Sequence, residues 1–303
     1  MKKVLITGSS GQLGKALIDQ VPSNILLFAL DRKKLDLSDD NACRAIIREI
    51  KPDWTINCGA YTNVDKAELE RKIAMKINYQ APKALAEEIK NQGGKLLQIS
   101  TDFVFDGIKR NFPYTVNSKR SPRCFYGLSK AKGEETVEDI LGESNKVVIL
   151  RTSWLIGPVG KNFLVKMIDL HNKGKDINVV SDQIGSPTST FGLANVCWKI
   201  INLDNIKYLF SSDEKKILHW SDDGLASWYD LAIAIGEIGF EMGILQQESF
   251  VNPIRSHEYL SKAKRPLYSV LEIKNTKKLL QISGLHWRKS LSTIMEDIYK
   301  NRT

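Results

Sequence analysis

The chain has 303 residues, 42% of them apolar and 26% charged, a globular balance with length enough for one large or two interlocked domains. No apolar run approaches the roughly 20 residues that cross a bilayer, and Met1-Lys2-Lys3-Val4-Leu5-Ile6-Thr7-Gly8 is too short in apolar residues for a signal peptide, so a cytoplasmic protein is expected. The net charge of +9 suits phosphate-bearing ligands, but Lys and Arg are scattered and no recognition motif accompanies them, so neither nucleic acid nor membrane is expected as a partner.

Lys3–Thr7 reads as a short strand that runs into a glycine turn, and Gly11–Val21 as a helix with Leu13, Leu17 and Ile18 on one side. Ile25–Leu30 is a second strand. Asp39–Ile50 is a helix with Asp39 and Asp40 at its positive end. Trp54–Cys58 is a third strand, Ala67–Asn91 one long helix closed by Gly93-Gly94, and Lys95–Ser100 a fourth strand. A polar loop leads to Pro122, a helix covers Tyr126–Leu141, and Lys146–Arg151 is a fifth strand. This alternation predicts an α/β fold of Rossmann type, a doubly wound parallel sheet with helices on both faces.

From Thr152 the rhythm changes. Helices are expected near Phe163–Asn172, Gly192–Asn202, Ser227–Ile238, Thr276–Leu280 and Leu291–Tyr299, with short strands at Ile177–Val180 and Ile217–Trp220. The division expected is a dinucleotide-binding domain over 1–152 and a smaller, mostly helical substrate domain over 153–303, whose chain interleaves with the first.

Gly8-Ser9-Ser10-Gly11-Gln12-Leu13-Gly14 is a GxxGxxG turn between the first strand and the first helix. A pyrophosphate needs bare backbone N–H groups at a helix start, and glycines leave that approach open. Tyr126-Gly127-Leu128-Ser129-Lys130 is YxxxK, which puts both side chains on one helix face. A lysine there is expected to lower the phenol's pKa and make it a proton donor near neutrality. The motif alone is weak, because Tyr79-Gln80-Ala81-Pro82-Lys83 matches it too. Ser100-Thr101-Asp102 favours Tyr126: it ends the fourth strand, where ligands bind in such sheets, and Thr101 can offer its hydroxyl to the same carbonyl oxygen. Cys43, Cys58, Cys124 and Cys197 form no CxxC pair, and His171, His219, His257 and His286 no HExxH, so neither disulfides nor a zinc site are expected.

With Leu35-Asp36-Leu37, Asn57–Glu68, Ile77-Asn78, Ser100–Gly107, Gly133-Glu134, Arg151-Thr152-Ser153-Trp154, Asn162-Phe163, Asp182–Thr188 and Arg265-Pro266 in the same order, nearly the whole chain resembles the extended short-chain dehydrogenase/reductase family, in its branch of nucleotide-sugar 4-ketoreductases. The resemblance implies reduction of the C4 ketone of dTDP-4-dehydro-L-rhamnose to dTDP-L-rhamnose, with NADPH as cofactor and NADH tolerated. It implies Tyr126 as the acid, Lys130 on the nicotinamide ribose and Thr101 on the carbonyl. Cofactor contacts would come from Gly8, Gly11, Gln12, Leu13, Gly14, Asp31, Arg32, Asp36, Leu37, Ala60, Tyr61, Thr62, Tyr126 and Lys130. Substrate contacts would come from Val64, Asp65, Glu68, Thr101, Asp102, Trp154, Asn162 and Arg265. Asp65 and Glu68 equally fit the start of a helix, and Trp154 a core position.

The pattern departs from the family at Phe103, often Tyr, at Cys58–Tyr61, usually alanines with His, and at Thr115–Asn117, where an acid is commoner. Some relatives join a dimer through a carboxylate-held metal just after the glycine turn. Lys15-Ala16 offers no carboxylate there, so no metal is expected, and a homodimer stays open. Two other readings also stay open: a different nucleotide-sugar 4-ketoreductase or epimerase, and a non-catalytic subunit like the regulatory one of methionine adenosyltransferase.

Overall fold

A computed structural model describes residues 1–108, 112–203, 210 and 216–300. In chain order the first half runs β1 (Lys2–Thr7), α1 (Gln12–Asp19), β2 (Ile25–Leu30), α2 (Asp40–Ile50), β3 (Trp54–Asn57), α3 (Val64–Ala67), α4 (Arg71–Met75), α5 (Ala81–Gln92), β4 (Lys95–Thr101), α6 (Phe125–Leu141) and β5 (Val147–Thr152). The second half runs β6 (Leu155–Ile156), α7 (Phe163–Asn172), β7 (Ile177–Val180), β8 (Ile184–Gly185), β9 (Thr188–Ser189), α8 (Thr190–Asn202), β10 (Ile217–Trp220), β11 (Ala226–Ser227), α9 (Trp228–Glu241), β12 (Val251–Ile254), α10 (Lys274–Leu280) and α11 (Trp287–Lys300).

The main sheet has the order β10-β5-β4-β3-β1-β2 and every pair in it is parallel. Its inner strands are buried along their length, as the run VVILRT of β5 illustrates, because helices cover both faces. One face packs Val4, Ile6 and Ile56 against Leu13 and Leu17 of α1 and Leu193 and Ile200 of α8. The other packs Leu5, Leu96 and Ile149 against Ile47 of α2, Leu85 of α5 and Val137 of α6. At the carboxyl ends a buried polar ladder fixes the register: Thr7 Oγ1 donates to Asn57 Oδ1 at 2.6 Å, and Asn57 Nδ2 to Gln98 Oε1 at 2.8 Å. The chain does return to this sheet, through α8 on one face and β10 at the edge beside β5. The rest of the second half builds its own core, in which Leu164 and Ile168 of α7, Leu231 and Ile235 of α9 and Leu291 and Ile294 of α11 surround the parallel pair β7–β12. The pairs β11–β8 and β6–β9 link these parts. Among the described residues no helix is long and apolar enough to cross a membrane.

Most expected elements recur within one to three residues; the long helix expected over Ala67–Asn91 runs without a break from Arg71 to Gln92, starting later than expected and widened by a π turn. Val64–Ala67 is a separate short helix before it, and Lys76–Gln80 is the π-helical turn that joins α4 to α5 within the same run. Pro82 has no N–H for the carbonyl of Asn78, which widens the turn there. That carbonyl instead lies against Gly133 of α6, where a Cβ would approach it to 2.2 Å. The Asn78 side chain holds the loop after β3, accepting from Tyr61 N at 2.8 Å and donating to Tyr61 O at 3.0 Å. The strand β12 and the two-residue strands were not foreseen.

Candidate active site

A cleft of about 960 Å³ runs over the carboxyl ends of β1, β3, β4 and β5. Strands β2 and β3 lie on opposite sides of β1, so the chain reverses its winding there, and such a point opens a crevice for a ligand. Gly8, Gly11, Gln12, Leu13, Gly14, Arg32, Asp36, Leu37, Ala60, Tyr61 and Thr62 line one end of the cleft. Gly8 has φ +65°, and a Cβ there would come within 2.6 Å of Gly59 Cα. A Cβ on Gly14 would come within 2.6 Å of Ser9 Cα. The glycines thus let the turn fold flat against the next strand and leave the start of α1 open to an anion. Gly11 sits at the N-cap of that helix, where no side chain caps the free N–H groups.

Asp31 does not line the cleft. Its Oδ1 accepts from Lys33 N and Lys34 N, both at 3.1 Å, so the carboxylate closes its own turn. Arg32 is the residue after β2 that faces the cleft. Asp36 does line it, and its carboxyl is held below the usual range, first by the backbone N–H of Ser38 and then by the Ser38 hydroxyl.

Thr101, Asp102, Tyr126 and Lys130 meet at the middle of the cleft. Thr101 ends β4, its Oγ1 donating to Asp102 Oδ1 at 3.0 Å and accepting from Phe103 N at 3.3 Å. Burial pushes the Asp102 carboxyl up to about 6, against hydrogen bonds from Ser269 and Thr101. Burial also pushes the Tyr126 phenol well above its ordinary value, with the Thr101 side chain pulling the other way. The expected lowering of the phenol by Lys130 is not found: burial dominates, Thr101 and not Lys130 is the group that pulls the phenol down, and it keeps its proton at neutral pH. A proton donor needs that state. Lys130 Nζ donates to Ile99 O at 2.7 Å, and burial lowers its ammonium to about 8, with Glu134 opposing. Tyr79 and Lys83 lie outside the cleft.

Glu134 follows Lys130 by one helical turn and is fully buried. Its Oε1 accepts from Arg151 Nε at 2.9 Å and its Oε2 from Arg151 Nη2 at 2.7 Å, and Arg120 pairs with the same carboxylate. This network seats α6 on β5 directly behind the Tyr126–Lys130 face.

At the far end, Val64, Trp154, Asn162 and Arg265 line the cleft. Trp154 has φ +46°, a strained position for a large side chain, and its ring stacks on Trp228 at 3.6 Å and 6°. Phe163 packs on Trp228 at 4.7 Å, and Trp228 Nε1 donates to Gln183 Oε1 at 3.2 Å. Trp228 and Phe163 both line the cleft; nothing in the sequence pattern marks Trp228, an aromatic at the start of a buried helix. Asn162 joins the two halves, its Nδ2 donating to Gln12 Oε1 at 2.7 Å while its side chain caps α7 through Val165 N.

Asp65 and Glu68 lie outside the cleft lining. Glu68 Oε1 accepts from Phe125 N at 2.7 Å, tying down the start of α6 beside Tyr126. Asp65 binds residues 261–265. Among the described residues no three His, Cys, Asp or Glu side chains converge as a metal site.

This fold and this cleft define a Rossmann-type oxidoreductase of the extended short-chain dehydrogenase/reductase class. A family model described as the RmlD substrate binding domain matches residues 1–300. The chain is 37% identical over 300 residues to the dTDP-4-dehydrorhamnose reductase of Aggregatibacter actinomycetemcomitans, covering 97% of this chain and 98% of that one. A crystal structure of a dTDP-4-dehydrorhamnose reductase from Clostridium acetobutylicum superposes with a TM-score of 0.86 at 35% identity, over 98% of this chain and 99% of that one. One from Bacillus anthracis, in complex with NADP, gives 0.85 at 34% identity, over 98% and 100%. UDP-glucose 4-epimerase of Thermotoga maritima, at 15% identity and a TM-score of 0.78, shares the fold alone. The chain belongs to the RmlD family, that of the dTDP-4-dehydrorhamnose reductases.

Proposed function

We propose that this protein uses NADPH to reduce the C4 ketone of dTDP-4-dehydro-L-rhamnose to dTDP-L-rhamnose, in nucleotide-sugar biosynthesis. One observation carries the reading: Thr101, Tyr126 and Lys130 converge at the end of β4 in the cleft that also holds the glycine turn. The glycine turn, Arg32, Asp36, Leu37 and the segment Ala60–Thr62 hold the dinucleotide, and Val64, Asp102, Trp154, Asn162 and Arg265 form the substrate end. When bound, NADPH supplies the hydride for C4. Tyr126, kept protonated by burial, gives its proton to the C4 oxygen as negative charge develops there. Thr101 turns its single O–H from Asp102 to that oxygen and polarises the ketone. Lys130 keeps one N–H on Ile99 O and offers the others to the nicotinamide ribose. With Asp31 turned into its own loop, Arg32 is the side chain after β2 placed to pair with a 2′-phosphate, so NADPH is preferred and NADH tolerated.

We read β1 to β5 with α8 and β10 as the cofactor half and the remainder as the substrate half. Four free cysteines suit the reducing cytoplasm. A homodimer is part of the reading, checked by sedimentation. The test is NADPH oxidation with dTDP-4-dehydrorhamnose, followed by NMR of the sugar product. dTDP-rhamnose is the expected product; an epimer, another deoxysugar or no turnover refutes the proposal.

A further inference from the structure

Asp65 sits on α3 between Val64 and Lys66, which both line the cleft, yet it does not line the cleft itself. Both of its oxygens face a segment almost 200 residues away. Oδ1 accepts from Ser261 Oγ at 2.9 Å, Lys262 N at 3.0 Å and Ala263 N at 3.1 Å. Oδ2 accepts from Arg265 Nη2 at 2.7 Å. Ser261 Oγ also accepts from Arg265 Nε at 3.3 Å. Four donors from five consecutive residues thus gather on one carboxylate.

The segment has little else to hold it there. Leu260 is 99% exposed, and Ala263 is the buried apolar residue of the stretch. Downstream, Leu267 N donates to Gly107 O at 2.9 Å, and Pro266 lies so close to Gly107 that a Cβ there would reach 2.5 Å. Arg265 hangs between these two anchors, with Nη1 bonded to no protein atom among the described residues. Burial tends to raise the Asp65 carboxyl, but Ala263, Ser261 and Arg265 outweigh it and hold it below the usual range, so it stays ionised at neutral pH.

We propose that Asp65 is a positioning residue: its carboxylate latches residues 261–265 onto α3 and presets the Arg265 guanidinium for an anionic group of the nucleotide sugar, without touching the substrate. The inference rests on the reading above that Arg265 belongs to the substrate end. A free arginine side chain samples many rotamers, and fixing two of its nitrogens beforehand removes that ordering cost from binding. The remaining nitrogen then meets the ligand in place.

The test compares wild type, Asp65→Asn, Arg265→Gln and the double variant. The readouts are kcat and KM for dTDP-4-dehydrorhamnose, Kd for dTDP by calorimetry with NADPH present, and Kd for NADPH alone. Asp65→Asn keeps an acceptor for the backbone N–H groups but loses the charge on Arg265. It is expected to raise KM and the dTDP Kd by about 10-fold to 100-fold, with kcat and NADPH affinity nearly unchanged. Acting through Arg265, it adds nothing to Arg265→Gln in the double variant, and Asp65→Glu recovers part of the loss. Additive losses, or an Asp65→Asn protein that binds dTDP like wild type, overturn the latch. An Arg265→Gln protein with normal KM and dTDP affinity overturns the assignment of Arg265 as well. If Asp65→Asn does not fold, Ser261→Ala loosens the same anchor from the other side and must show the same KM-selective loss.

Discussion

Replacing Arg151 with Leu tests the buried network behind the candidate acid. Arg151 is 1% exposed and Glu134 0%, and two hydrogen bonds at 2.9 and 2.7 Å join them. Removing one partner of such a pair typically costs about 3–5 kcal/mol, because a charge stays buried without its counter-ion. Arg120 remains on Glu134, so the lower end is expected, about 3 kcal/mol, or a Tm lower by roughly 5 °C. The pH dependence follows from Glu134. Burial opposes its charge, but Arg151 and Arg120 prevail and hold it at about 2. A folded pKa below the unfolded value gives stability that is complete above the unfolded value and lost as pH falls through the folded one. The gap between wild type and Arg151→Leu should therefore be largest at neutral pH and close as pH drops from about 4 toward 2. Urea denaturation at neutral pH and at steps down to about pH 2 measures it, with Glu134→Gln/Arg151→Leu recovering part of the loss. A neutral-pH gap under about 1 kcal/mol, or one that widens in acid, refutes the reasoning.

Tyr126→Phe removes the proton donor and keeps the ring, so turnover should fall by about 10²–10⁴ while NADPH still binds by fluorescence titration; near-normal turnover sinks the assignment, and Tyr79→Phe should be silent. Arg32→Ala should lower kcat/KM with NADPH by roughly tenfold and leave NADH little changed; equal losses with both cofactors would show that Arg32 does not read the 2′-phosphate. Gly14→Ala forces a methyl to within 2.6 Å of Ser9 Cα, and calorimetry should find NADPH binding lost or severely weakened; unchanged affinity would mean that the turn tolerates a side chain.

The sequence by itself determined the five strands of the first half and most of its helices, the glycine turn and the YxxxK face, because each rests on local periodicity and on residues near in sequence. β2 and α7 begin and end where the apolar pattern does. It also favoured Tyr126 over Tyr79 as cleft-lining, since Thr101 ends a strand whose carboxyl end opens on the cleft. What Asp65 and Glu68 do was decided by tertiary structure alone, whereas Asp31 closes a local turn. Asp31, Asp65 and Glu68 all read as ligand contacts, yet each has one oxygen on backbone N–H groups, and Asp65 has the other on an arginine 200 positions away. An ionised carboxylate satisfies itself with whatever donors the packed chain brings within 3 Å, and no local pattern records them. The same holds for the π turn before Pro82, which depends on Gly133 receiving the Asn78 carbonyl, and for Trp228, which joins the cleft because α9 carries it against Trp154. It holds as well for the phenol of Tyr126: the spacing along one helix is visible in sequence, but the desolvation that raises the phenol arises when the whole fold closes over the site.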